Sequence, residues 1–245
     1  MEAKTNPMPA MPLLLEPPPW NAAAEPPAPE RVGASVLGNA INLFGARPAN
    51  LLVIAGVHGD ESEAVFLGHL LLGAGCPVPL IPSLNPDGAL LRQRWNRHNV
   101  DLNRNLPTPD WTAEATNPRY PPGAAPASEP ETRAFLAALE RVRPSTVLSL
   151  HSYRETFIEI ERPETELSPG LNAAVADYAA AVGIERRQSI GYPTPGALGA
   201  FGRAQGLLVL TYELQRGRSH GELHALLAPL LRLIERLEAE RFVAP

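Results

Sequence analysis

The sequence predicts an α/β protein, a single domain built on a mostly parallel, mixed sheet with helices on both faces. Two observations predict it. Leu51–Val57, Thr146–Leu150 and Leu207–Leu214 are short apolar runs with β-branched content, the pattern of strands buried on both faces. Segments of helical spacing lie between them, and strands that alternate with helices form a largely parallel sheet covered on both sides.

Each element has its own signal. Leu51–Val57 is the first buried strand. Ser62–Gly73 follows with helical spacing and ends on glycine. Pro77–Leu84 reads as a short strand. Residues 85–127 are rich in Asn, Pro, Gly and Arg and read mainly as loops. Ser128-Glu129-Pro130-Glu131 has the form of a capping box, with proline in the first turn of a helix that runs to Val142. Thr146–Leu150 is the next strand and Phe157–Ile160 another. Leu171–Gly183 is a helix, Leu207–Leu214 a strand, and Gly221–Phe242 an amphipathic helix with a candidate break at Pro229.

Residues 1–30 stand apart, because nine of the 28 prolines fall there. Proline lacks a backbone donor and fixes φ, so no regular helix or central strand is expected. The segment reads as a proline-rich extended arm, with a polyproline docking ligand as the alternative. The domain then occupies residues 31–245. Leu13–Leu15 is too short for a signal peptide, so the expected location is cytoplasmic.

Composition excludes several classes. Hydrophobic residues at 44% and charged residues at 19% exclude a wholly disordered chain. A net charge of −5 argues against a general nucleic-acid partner. The single cysteine, Cys76, excludes an intramolecular disulfide and a cysteine-rich zinc site. No apolar stretch approaches the roughly 20 residues that span a membrane. Oligomeric state stays open.

The polar residues that matter follow the buried strands. Val57 runs into His58-Gly59-Asp60-Glu61, Leu150 into His151, and Tyr212 into Glu213. Ligands of open α/β sheets bind at the carboxyl ends of strands. His58 and Glu61, three apart at the start of a helix, can reach one ion. His151, ninety residues on, completes a two-histidine, one-carboxylate set with an open position. Glu213 is placed to take a proton from an activated water. His220 and His224 are four apart on a helix but lack the HExxH pattern and read as a solvated face. His69 and His98 read as structural or exposed. Arg92 and Arg97 read as surface residues paired with acids, and Asn85 and Asp87 as turn builders.

An ordered set of short motifs carries a resemblance. It comprises His58-Gly59-Asp60-Glu61, Asn85-Pro86-Asp87-Gly88, Arg94-Trp95-Asn96, Val100-Asp101-Leu102-Asn103-Arg104-Asn105, Pro126-Ala127-Ser128-Glu129-Pro130-Glu131-Thr132, Leu150-His151-Ser152, Tyr192-Pro193-Thr194-Pro195-Gly196 and Thr211-Tyr212-Glu213-Leu214. Between about Arg31 and Leu214 the chain resembles the M14 zinc carboxypeptidase family, in particular its murein peptide amidase branch. The resemblance implies one zinc ion per chain, bound by His58, Glu61 and His151. Asp101 would orient the first histidine, and Glu213 would be the general base. Arg94 would stabilise the oxyanion. Asn103 and Arg104 would grip the substrate's terminal carboxylate, a task suited to a planar guanidinium. Tyr192 would close over bound peptide, and Gly196–Leu198 would line the pocket beside it. Two positions depart from the pattern, Asn99 for a glycine and Ala197 for a serine.

The resemblance further implies a small peptide substrate, cleaved at an amide next to a carboxylate-bearing terminal residue. In the amidase branch that bond joins γ-D-glutamate to meso-diaminopimelate in recycled wall peptides. A general carboxypeptidase, an acyl-amino-acid hydrolase and a silent peptide-binding module are the alternatives.

Overall fold

The computed structural model describes residues 27–115 and 117–244. Of the arm expected over residues 1–30, residues 1–26 lie outside the described residues. Pro29 and Glu30 already belong to a strand. In chain order the strands are β1 (Pro29–Ala34), β2 (Ala40–Phe44), β3 (Leu51–Ala55), β4 (Leu80–Ile81), β5 (Thr146–Tyr153), β6 (Phe157–Ile160), β7 (Glu185–Arg187) and β8 (Leu208–Gln215). The helices are α1 (Ser62–Gly73), α2 (Pro86–Leu91), α3 (Pro130–Val142), α4 (Pro169–Val182), α5 (Leu198–Gln205) and α6 (His220–Ala239).

These strands form one mixed sheet in the order β1-β2-β4-β3-β5-β8-β6-β7. The run β4-β3-β5-β8 is parallel, as is the β6–β7 pair. The pairs β1–β2, β2–β4 and β8–β6 are antiparallel. Chain direction along the sheet reverses at β3, which pairs with β4 on one side and β5 on the other. A crevice opens at such a switch point, beyond the carboxyl ends of the strands.

Side-chain alternation explains the layering. On β3, Leu51, Val53 and Ala55 pack toward α1 and α6, while Leu52 and Ile54 pack toward α3 and α5. On β8, Leu208, Leu210, Tyr212 and Leu214 share the first layer and Val209 the second. Both faces are buried, so both registers are apolar.

Residues 85–127 are mainly loop as expected, with one short α-helix added, and two further local expectations are corrected. Residues 85–127 include helix α2, started by Asn85, whose side chain accepts from the Gly88 N–H at 2.9 Å, with Pro86 behind it. Helix α3 takes Glu129, not Ser128, as its N-cap and has no side-chain cap bond. Glu131 accepts instead from Asn96 at 2.9 Å and from the Val36 N–H at 3.1 Å, so tertiary bonds outbid the cap. Helix α6 runs unbroken through Pro229 and begins with a capping box made by Ser219 and Glu222. A mid-helix proline costs about 3 kcal/mol. The buried stripe Leu226, Leu230, Leu233, Ile234 and Leu237 flanks it and offsets that cost.

The loop before α5 is fixed by backbone contact. Gly196 has φ 71°, and a Cβ there would lie 2.2 Å from the Arg104 carbonyl oxygen. Its own carbonyl accepts from the Leu106 N–H at 3.0 Å. Gly196→Ala therefore meets both a strained φ and a backbone collision. Gly217, at φ 84° with open space around it, meets only the first. Gly196→Ala should lower stability by about 2–4 kcal/mol and Gly217→Ala by about 1 kcal/mol. Thermal unfolding of the two variants side by side checks this. Equal losses would show that the contact with Arg104 is not tight.

Candidate metal centre

The switch point brings the ligand candidates together. His58 lies in the turn after β3, and Glu61 is the N-cap of α1. His151 lies on β5, within the strand, because β5 and β8 stay paired as far as Tyr153 and Gln215. All three are buried, and one donor atom from each lies within 4.8 Å of the others. His58 Nδ1 is 2.8 Å from Glu61 Oε1, and His151 Nδ1 is 3.0 Å from Glu61 Oε2. The Ser152 N–H also donates to Glu61 Oε2 at 3.1 Å.

The other ring nitrogen of His58, Nε2, is 3.1 Å from Asp101 Oδ1. Asp101 also accepts from Arg94 Nε at 3.0 Å and pairs with Arg94 Nη2 at 2.9 Å. It further accepts from the Asn103 N–H, which fixes the turn Leu102–Arg104. A carboxylate behind a ligating imidazole orients the ring and raises its basicity. Burial by itself would raise the Asp101 pKa, but His58 and Arg94 outweigh it and hold the carboxyl well below its ordinary value. Burial works to lower His58, and the Glu61 and Asp101 carboxylates overturn it, so its pKa is raised.

His58 faces a carboxylate on each side. Carboxylates only accept, so both ring nitrogens must carry hydrogen unless a cation takes the Nδ1 side. A divalent ion there would replace that proton and neutralise the Glu61 charge. Two imidazoles, one carboxylate and an open side form the donor set of a catalytic zinc site. The residues fit the metal.

The site opens into a cleft of about 290 Å3. Of the other residues expected there, Arg94, Asn103, Arg104, Tyr192 and Glu213 line it, and Asp101 lies behind His58. Glu213 is paired in register with His151 on the neighbouring strand. Burial pushes its carboxyl up to about 7, with His151 opposing and Glu61 and Glu159 adding to the shift. Its Oε2 is buried without a hydrogen-bond partner among the described residues. Asn103 Oδ1 accepts from the Leu198 N–H at 2.8 Å. The Arg104 guanidinium lies 4.9 Å from the Tyr120 ring centroid, and its Nε is buried and unpartnered among the described residues.

Other expectations resolve more simply. His220 and His224 are exposed, and the His220 ring stacks on Phe66 at 4.2 Å. His98 Nδ1 is 2.8 Å from Glu129. Asp87 is buried within α2, and its side chain accepts from Ser35, Leu37 and Asn39, so it fastens the distant β1–β2 turn and does not build a turn of its own. Arg92 and Arg97 make no ion pair among the described residues, contrary to the surface-pair reading. Tyr120, Arg216, Glu159 and Glu161 also line the cleft and were missed. Tyr120 and Arg216 carry no local sequence signal. Glu159 does, as the one charge within the otherwise apolar strand β6, and Glu161 follows just past its end.

Comparison with known proteins agrees with this geometry. A family model described as zinc carboxypeptidase, Peptidase_M14, matches residues 76–190. Murein peptide amidase A of Escherichia coli K12 is 34% identical over 197 residues, spanning 73% of this chain and 77% of that protein. The chain belongs to the M14 zinc carboxypeptidase family. It is a hydrolase that uses zinc. The Vibrio campbellii murein peptide amidase A is 29% identical over 215 residues, covering 76% of this chain and 79% of its own length. The crystal structure of murein-tripeptide amidase MpaA from E. coli O157 superposes with a TM-score of 0.67 at 30% identity, over 86% of this chain and 94% of that one. Carboxypeptidase A from Helicoverpa armigera, 18% identical, gives a TM-score of 0.68 over 86% and 68% of the two chains and shares the fold. The stretch matched by the family model contains Arg94, Asp101, Asn103, Arg104 and His151. His58, Glu61 and Glu213 lie outside it, and the sheet brings them in.

Zinc uptake should therefore release protons. The His58 pKa is raised above 6.5, so at pH 6.5 most of it is protonated, and the metal displaces that proton. Titrating zinc into chelator-stripped protein in weak buffer at pH 6.5 should acidify the solution, with saturation at one zinc per chain. Asp101→Asn should weaken zinc retention by about 10–100-fold. Zinc binding without proton release would contradict the bridged arrangement of His58.

Proposed function

We propose that this protein hydrolyses the amide bond between γ-D-glutamate and meso-diaminopimelate in murein peptides, with His58, Glu61 and His151 as the zinc ligands. The observation that carries the reading is the Arg104 guanidinium. It is buried at the cleft beside Asn103, laid on Tyr120, with an unspent Nε donor. Such a group receives the terminal carboxylate of a leaving amino acid. The relatives named murein peptide amidase supply the substrate class. We also read the reaction as part of wall-peptide recycling in the cytoplasm. No helix among the described residues is long and apolar enough to cross a membrane.

When bound, zinc supplies Lewis acidity for the attacking water and the scissile carbonyl. The chain does the rest. Asn103 has its Oδ1 taken by Leu198, which leaves Nδ2 to join Arg104 on the substrate carboxylate. That grip turns binding energy into orientation. Glu213, with its raised pKa, takes the proton of the attacking water and returns it to the leaving amine. Arg94 is held through Nε and Nη2 by Asp101, and Nη1 faces Glu61 at 3.6 Å on the cleft side. From there it meets the charge that develops on the attacked oxygen. Tyr192, 44% exposed at the cleft rim, is free to fold over bound peptide.

The test is incubation of the zinc-loaded protein with L-alanyl-γ-D-glutamyl-meso-diaminopimelate, followed by mass spectrometry. Free diaminopimelate should appear, and a chelator should stop it. Glu213→Gln should reduce kcat by about 10^2–10^4-fold while zinc stays bound. Arg104→Lys should act mainly on KM, because an ammonium replaces a two-pronged donor. Release of ordinary C-terminal residues from α-linked peptides, with the tripeptide untouched, would move the assignment to a general carboxypeptidase.

A further inference from the structure

One acid in the cleft has no place in the hydrolysis. Strand β6 alternates sharply: Ile158 and Ile160 enter the core, while Glu159 lies on the opposite, cleft face. Glu159 pairs in register with Thr211, and Phe157 with Glu213, so Glu159 is a diagonal neighbour of Glu213 on the same face of the sheet. Glu159 is 95% buried, with 5% of its surface exposed. Its Oε1 accepts from the Ile190 N–H at 2.9 Å. Its Oε2 makes no hydrogen bond or ion pair among the described residues.

The nearby cations are already engaged. Arg203 pairs with Glu161 at 3.0 Å, and Arg187 pairs with Glu155 at 2.8 Å and Glu185 at 2.7 Å. Glu161 in turn packs against Gly199, where a Cβ would meet its carboxyl carbon at 2.1 Å. Burial and the neighbouring Glu161 push the Glu159 carboxyl up to about 7. A buried acid without a counter-charge costs free energy, and Gln or Thr would fill this site without that cost. Glu159 lines the same cleft as Asn103, Arg104 and Thr194, where the leaving residue would sit.

We infer that Glu159 receives an ammonium group on the side chain of the leaving residue, and so selects terminal residues that carry a second amine. The inference rests on the proposed grip of the terminal carboxylate by Asn103 and Arg104. Glu159 acts on specificity, and Glu161, already paired with Arg203, supports it without binding the amine.

Two tripeptides test this with the zinc-loaded full chain. One ends in meso-diaminopimelate. The other ends in L-2-aminopimelate, which keeps the distal carboxylate and lacks the distal amine. The wild-type protein should favour the first in kcat/KM by at least about tenfold, since a site built around a buried polar group rejects a ligand that leaves it unpaired. Glu159→Gln should bring the ratio close to one. Glu159→Thr, a substitution suited to a strand, should do the same and guards against misfolding of the first variant. Glu161→Gln should keep the preference. Equal wild-type kcat/KM for both peptides overturns the inference while the hydrolase reading stands. So does a preference that survives both Glu159 substitutions. No hydrolysis of either peptide by zinc-loaded protein removes the parent reading, and the inference with it.

Discussion

A single buried carboxylate, Glu61, sets the terms for the rest of the molecule. It sits between two imidazole nitrogens and a backbone N–H, and almost no water reaches it. A charge so placed is costly unless every oxygen is engaged and a cation is near. A proton on His58 offsets part of that cost; a divalent ion would offset more, with His58, Glu61 and His151 as the residues that would hold it and Asp101 on the far side of His58. The surrounding arginines then fall into place. Arg94 balances Asp101, and Arg216 reaches Asp60 at 3.0 Å and Glu61 at 3.7 Å.

Two residues of the proposed mechanism lie on strands, and those proposed to face the substrate lie on loops. His151 and Glu213 ride on adjacent central strands whose register is fixed by packing on both faces. Arg94, Asn103 and Arg104 sit on irregular chain, which must be tied down to be useful. Asp101 ties it from below and the Asn103–Leu198 bond from the side, and the Gly196 contact with Arg104 locks the two loops together. Tyr192 lies outside those ties and is 44% exposed.

Much of this was legible in the residue order. Leu51–Ala55 and the α1 span announce themselves because burial demands a continuous apolar run or helical spacing, and Phe157–Ile160 shows as an apolar strand interrupted by one acid. The edge strands do not. Strands β1 and β7 are partly exposed and carry Glu30, Arg31, Glu185 and Arg187, so no period-two apolar signal survives. Ser128 misleads because the cap signal is local, whereas Glu131 answers to Asn96 and Val36 far away in sequence. In the site, His58 and Glu61 share a short spacing, and His151 and Glu213 follow apolar strands. Tyr120 becomes informative only when folding lays both Arg94 and Arg104 on its ring. Glu159 shows in the sequence as a charge within an apolar strand, but only the fold shows that its face is the cleft.

The measurement that bears most directly on this account is X-ray absorption at the zinc edge of the zinc-loaded protein. Zinc held by His58, Glu61 and His151 should show a first shell of two imidazole nitrogens and carboxylate or water oxygens at about 2.0–2.2 Å, with no sulfur. Substituting His151 should remove one imidazole from that shell. A sulfur scatterer, which would place the metal at Cys76, or a shell of oxygens with no imidazole, would contradict it.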